Sequence, residues 1–262
     1  MKKTALLLLL ALTACKGATA AAPKVGADEL RAEQTEQQKL AKEAAIKRGE
    51  EVVKITTTHK NRLATIGSKV SKAGEQMCKE MGRSQCSFGV KIEESADLNA
   101  YADGSYIVVS SAMIDFTTDT ELANVLSHEY AHNIMQHVAT QSQNVAVGGI
   151  LGTIADQLAT SQGINTGGVI GKLGANYSLM KYSVGFEQEA DYVGLYVMER
   201  AGYDINQSPN FWRKMSQADS RGITMKSTHP TNPERYVALN KTIEEIKAKK
   251  AAKQPLLPAF KG

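Results

Sequence analysis

The 262-residue sequence predicts an α+β fold, mostly α-helical with a small sheet. Three observations predict it. Long stretches carry apolar residues at helical spacing. A β-rich run, Tyr106–Val109, follows a turn signal at Asp103-Gly104. A capping box, Thr118 to Glu121, opens a helix that holds three of the chain's five histidines within ten residues.

In chain order, Met1–Ala14 joins a cationic start at Lys2 and Lys3 to an apolar run too short to span a bilayer. It reads as a signal peptide. Leu12-Thr13-Ala14-Cys15 resembles the bacterial lipobox, which makes Cys15 the expected lipid-bearing first residue of the mature chain. An ordinary secretory signal that happens to contain cysteine is the alternative. Lys16 follows, and no aspartate stands there as an inner-membrane retention signal, so the outer membrane is the expected destination. Residues 15–48, rich in Ala, Glu, Gln and Lys, read as a tether running into a polar helix. Removing Met1–Ala14 takes away two lysines and lowers the formal charge from +4 to +2. That balance argues against a nucleic-acid partner, which needs a concentrated basic face.

Residues 49–245 are long enough for one domain with a substantial core. Helical spacing over Ile46–Met81 predicts its first helix. Phe88, Val90 and Ile92 alternate and predict an extended segment before the Tyr106–Val109 strand. Cys78 and Cys86 read as a disulfide in an oxidising compartment. Zinc ligation is the rival, but their spacing, with no histidine nearby, fits no usual zinc pattern. The helix opened by the capping box is expected to run to about Thr140. Val145–Ala175 is glycine-rich and apolar in patches, broken by Asp156 and by polar residues, which argues against a membrane span. A mobile, partly helical flap is expected there, with a plain helical hairpin as the alternative. Further helices are expected from near Ser183 to Gly202, over Asn206–Ala218 with Trp212 in the core, and over Tyr236–Lys250. Residues 246–262 are set apart as a C-terminal tail, of which the stretch AAKQPLLPAFKG is expected to be loose.

The chemistry is concentrated in HEYAHNIMQH. On a helix His128 and His132 lie about 40° apart, so both imidazoles can reach one metal ion. Glu129 is rotated about 100° from His128, beside such an ion rather than on it, where it suits a base acting on water. His137 falls about 180° away and is read as a bystander or an outer support rather than a ligand. A catalytic zinc keeps three protein ligands. The best third candidate lies in FEQEAD, where Glu187 and Asp191 are four apart on one helical face. Glu187 would bind the ion, and Asp191 would hold the other ring nitrogen of a ligand histidine. Glu189 falls on the opposite face and serves as a control. A solvated acidic face is the competing reading of the pair.

HEYAH, followed some fifty residues later by EQEAD, resembles the gluzincin family that contains HtpX, the Oma-type mitochondrial proteases and the CAAX prenyl proteases. In layout the chain is similar to periplasmic members such as LoiP and BepA. The resemblance covers about Ala44 to Asn240. It implies a zincin-like metalloprotease domain whose small sheet has an edge strand ahead of the HExxH helix. It also selects Glu187 over Glu189 as the ligand, and matches His137, His229-Pro230 and Arg235. Family members often carry Ser-Arg before the ligand glutamate, where this chain has Ser183-Val184, and a proline before the glycine of the strand segment, which is missing here. The family implies one zinc ion per chain and endopeptidase activity, with Glu129 as base. His229 is then a fourth ligand that closes the site, an oxyanion stabiliser, or a structural histidine. Arg235 is expected to anchor its loop on a carboxylate. Tyr106, Ile107, Val108 and Val109 are expected to dock substrate as an added strand. The functional expectation is an outer-membrane lipoprotein facing the periplasm that degrades unfolded or misassembled envelope proteins. The alternative is a chaperone or assembly factor working with the outer-membrane assembly machinery.

Overall fold

The computed structural model describes residues 53–95, 98–141, 143, 169–218, 229 and 233–260. Met1–Ala14, Cys15, the tether and polar helix, and most of the Val145–Ala175 segment lie outside the described residues.

The β-branched Val53, Ile55 and Thr56 keep the start of the domain out of a helix, and Val53 bridges antiparallel to Ser95. Helix α1 (Thr57–Glu80) begins after Thr56, whose hydroxyl accepts from His59 N while His59 Nδ1 accepts from Thr56 N, both at 3.2 Å. The helical expectation over Ile46–Met81 therefore fails at residues 53–56. A histidine takes the place that glutamate or glutamine fills in the usual capping box, which hid the true start. A disulfide from Cys78 to Cys86 (S–S 2.00 Å) ties the end of α1 to the entry of the first strand.

Three strands follow: β1 (Gly89–Glu93), β2 (Ala100–Ala102) and β3 (Tyr106–Ser110). Their order is β1-β3-β2, with β1 parallel and β2 antiparallel to β3. This corrects the docking expectation. Tyr106, Ile107, Val108 and Val109 belong to the central strand, and pairing on both sides leaves no edge for a further strand. An edge strand does precede the histidine helix, but it is β2. Its three residues, two of them alanine, carry almost no strand signal.

β3 runs directly into α2 (Ser111–Phe116), and Thr118 caps α3 (Asp119–Ile134) with the expected box to Glu121. The expected run to about Thr140 is broken rather than continuous: α3 ends at Ile134, Gln136 takes a left-handed φ of 57°, and residues 137–141 are helical again. Helix α4 (Val169–Arg200) starts well before Ser183. Its early glycines each cost only about 1 kcal/mol and no proline interrupts them. Gly202, with φ 82°, ends it as its N–H bonds Glu199 O and that of Tyr203 bonds Met198 O. A 3₁₀ turn (Ile205–Gln207), α5 (Ser208–Ala218) and α6 (Pro233–Ala251) follow. The boundary expected at 245/246 falls inside α6, where Ile246 is fully buried. The segment after it is held rather than loose: Lys249 Nζ donates to Leu257 O (2.7 Å) and Ala259 N donates to Tyr192 OH (2.9 Å). Leu256, Leu257 and Phe260 pack on the core.

The core gathers around α3 and α4, with Ile66 and Val70 of α1, Ile107 and Val109 of β3, and Phe211 and Leu239 closing it. Gly194 lets the two central helices approach. A Cβ there would stand 3.1 Å from His128 Cα and from Ser127 O. The helix carrying the acidic motif is thus pressed against the helix carrying the histidines.

Candidate metal centre

His128 and His132 project from α3 toward α4, and both are buried. Their Nε2 atoms lie 3.0 Å apart. Glu187 faces both, with Oε2 3.2 Å from His128 Nε2 and Oε1 3.2 Å from His132 Nε2. His229 completes the group, its Nδ1 standing 2.9 Å from Glu187 Oε1 and 3.4 Å from His128 Nε2. One ligand atom from each of the four lies within 4.8 Å of all the others. Bonds of about 2.0–2.1 Å to a tetrahedral zinc put neighbouring ligand atoms about 3.3 Å apart. The observed spacings fit that figure, and the donor set of imidazole and carboxylate suits the ion.

Outer partners fix the direction in which each ring points. His132 Nδ1 lies 2.9 Å from His137 Nδ1, and His137 Nε2 lies 2.7 Å from Glu189 Oε2. A consistent set of protons runs along this chain: His132 donates to His137, which donates to Glu189, leaving His132 Nε2 with its lone pair toward the ligand cluster. His137 reaches this place because the chain turns at Gln136 instead of continuing the helix. It stacks on Phe186 at 4.4 Å. Glu189 is no exposed control. It is buried, because α4 is covered on several sides here, and it is the site residue that helical-face reasoning missed. A carboxylate two residues from the ligand glutamate was the available signal.

His128 is gripped at both ends by one turn of α4. Its Nδ1 lies 3.0 Å from Asp191 Oδ1, off the line a full hydrogen bond needs. Arg235 holds Asp191 with two parallel bonds, Nε to Oδ2 at 2.7 Å and Nη2 to Oδ1 at 2.8 Å, and reaches Glu187 Oε2 with Nη1 at 3.1 Å. Arg235 sits in the first turn of α6, not in a loop, and its guanidinium lies 3.8 Å over the Trp212 ring. Trp212 in turn meets His128 edge-on at 5.1 Å. Sequence spacing placed Trp212 in the core but gave no sign of this contact.

Burial opposes a charged His128, but Asp191 and Glu187 outweigh it and raise its pKa to about 9. Burial pushes His132 well down, against the pull of Glu187. Glu187 is also buried, yet His229, Arg235 and His132 hold its carboxyl well below the usual range. His229 is raised because Glu129 and Glu187 outweigh the cost of its burial.

Glu129 stands apart from the ligand atoms. Its Oε1 is 3.3 Å from His229 Nε2, and its Oε2 is buried with no hydrogen-bond partner among the described residues. His229 Nε2 also lies 3.1 Å from Ala100 O of β2. One imidazole therefore fills the distance between the sheet edge and the ligand cluster.

Residues 67–243 match the profile of peptidase family M48, well over half of the chain. The chain belongs to peptidase family M48. The matched span carries all four residues of the cluster, so this M48 unit is a metallopeptidase domain. It is 35% identical over 145 residues to a beta-barrel assembly-enhancing protease of Yersinia pestis, covering 51% of this chain and 30% of that protein. The corresponding protease of Escherichia coli strain K12 is 30% identical over 146 residues, covering 51% and 30%. The mitochondrial metalloendopeptidase OMA1 of Saccharomyces cerevisiae is 29% identical over 158 residues, covering 57% and 44%. The M48 chain spans less than half the length of each of these relatives.

Proposed function

We propose that this chain is a zinc-dependent endopeptidase that degrades unfolded or misassembled proteins of the bacterial envelope. The observation that carries this reading is the convergence of His128, His132 and Glu187 with Glu129 beside them, buried but off the ligand set. These three ligands would hold one zinc ion, which when bound supplies Lewis acidity toward water and the scissile carbonyl. The Glu129 carboxylate takes a proton from the attacking water and hands it to the leaving amine as the peptide bond breaks. Asp191 and His137 keep the two ligand imidazoles in the tautomer that ligates.

Substrate docks on β2. Asn99 O accepts from Ser110 N and Asp103 N donates to Tyr106 O, so alternate residues of the strand face β3. The backbone N–H and C=O of Ala100 and Ala102 then face outward, toward the side where His229 meets Ala100 O. A peptide added there is held by its backbone, which selects extended chains over particular sequences. His229 stands in the same place and acts as a fourth ligand that keeps the resting site shut.

The names of the bacterial relatives support a role beside the outer-membrane assembly machinery, and the lipobox at Cys15 supports attachment to that membrane through lipid. Among the described residues no helix is long and apolar enough to cross a membrane. The test is digestion of an unfolded outer-membrane protein by the wild-type chain and by Glu129→Gln at equal zinc content. Wild type should cut at many sites and the variant at none. Equal cutting by both would remove Glu129 from the mechanism, and binding without cutting by wild type would favour an assembly factor.

A further inference from the structure

Asn133 follows the ligand His132 and points away from it, toward the sheet. It is 3% exposed, in the last turn of α3. Its Oδ1 accepts from Gly104 N at 2.9 Å and its Nδ2 donates to Tyr106 O at 3.2 Å. One carboxamide therefore ties the turn of the β2–β3 hairpin and the first residue of β3 to the end of α3. The turn has its own internal order: Asp103 Oδ1 accepts from Ser105 N (2.8 Å) and Tyr106 N (2.7 Å), and Gly104 takes a φ of 93° that few other residues tolerate. The hairpin does not need Asn133 to form. What Asn133 adds is a fixed distance between that hairpin and the helix bearing His128, Glu129 and His132.

We infer that Asn133 is a positioning residue, which sets the gap between the β2 edge and the metal centre and so the placement of a bound peptide carbonyl over the catalytic group. The inference rests on β2 being the docking edge. Ala102, the second residue with an outward backbone, lies two positions from the clamped Gly104, so a shift of the turn is passed to the docking backbone with little slack. The gap itself is one imidazole wide. His229 spans it from Ala100 O to Glu187 and His128. At that scale a displacement of about 1 Å is enough to cost about 10²-fold in reaction rate. Few side chains can do this work. Asparagine alone among short residues offers a donor and an acceptor on one planar group. Aspartate keeps the acceptor for Gly104 N but faces Tyr106 O with a second oxygen, leucine keeps only the shape, and glutamine is one methylene too long.

The experiment compares two zinc-directed inhibitors on wild type, Asn133→Asp, Asn133→Leu and Asn133→Gln. Acetohydroxamate reaches the metal alone. A tetrapeptide hydroxamate reaches the metal and the β2 edge together. Zinc affinity, measured by competition with a chelator, and thermal unfolding are followed in parallel. The expected result is that zinc affinity and acetohydroxamate binding stay within about twofold in the variants. The peptide hydroxamate should weaken by roughly 10–100-fold, because the two halves of its site no longer match. If both inhibitors weaken by the same factor, or neither changes, the positioning role is overturned. Joint loss of zinc and fold in all three variants would also overturn it, leaving Asn133 a structural residue. Failure of the docking edge itself looks different: the peptide hydroxamate would then bind wild type no better than acetohydroxamate does.

Discussion

Glu189 holds His137 and His137 holds His132, so a carboxyl two residues from Glu187 acts on the metal centre through an intervening imidazole. Removing an outer partner of this kind weakens metal binding by about 10–100-fold. Glu189→Ala should do so in a chelator competition, and Glu189→Gln should recover most of the loss because its amide oxygen still accepts from His137. Unchanged affinity in Glu189→Ala would show that His132 is oriented without this chain. His229 invites a different measurement. If its Nδ1 closes the site, His229→Ala should raise basal peptide cleavage at full zinc occupancy. If its Nε2 stabilises an oxyanion instead, the same change should lower turnover by about 10²–10³-fold. The rise is expected, since Nδ1 already stands at ligand distance from the cluster. At this scale the sequence was informative about His128, Glu129 and His132 on α3 and about Glu187 and Asp191 on α4, whose helical spacing sets them face to face, whereas Arg235 on α6 was found only through the family resemblance. It was silent on Asn133 and misleading on Glu189, because which helical face is covered depends on neighbours far along the chain.

Three helices are locked together by one buried cation. Arg235 of α6 grips Asp191 and Glu187 of α4 and lies over Trp212 of α5. Burial works against its charge, but Asp191 and Glu187 more than compensate and push its pKa further up. Arg235→Ala would leave two buried carboxyls without their counter-charge, a loss of about 3–5 kcal/mol for a buried pair broken on one side. Denaturant unfolding should show it as a lower midpoint in the metal-free protein, and Arg235→Lys should restore little because a lysine cannot make the parallel pair of bonds. A midpoint shift under about 1 kcal/mol would show that water replaces the guanidinium. The elements themselves were legible where a local rule decides them. The Thr118–Glu121 box fixes the start of α3, and Gly202 fixes the end of α4. They were not legible where one residue overrides its surroundings, as Gln136 does in stopping α3 and bringing His137 back to the site.

The molecule as a whole is organised around the contact between α3 and α4, made close by Gly194 and enclosed by α1, the sheet, α5 and α6. The segment after α6 belongs to this body, since Tyr192 and Lys249 pin it where its alanines and lysines suggested a free end. Pairing order in the sheet could not be read from the strand run either. Tyr106–Val109 has the strongest β character and for that reason takes the protected centre, leaving one edge to β1 and the other to three weak residues of β2. The central claim is that His128, His132 and Glu187 hold one zinc ion while Glu129 works beside it. Native mass spectrometry of the purified chain, its Glu129→Gln variant and its Glu187→Ala variant after mild chelation tests that claim most directly. The account predicts one zinc per chain in the first two and none in the third. A full zinc complement in Glu187→Ala, or its loss in Glu129→Gln, would contradict it.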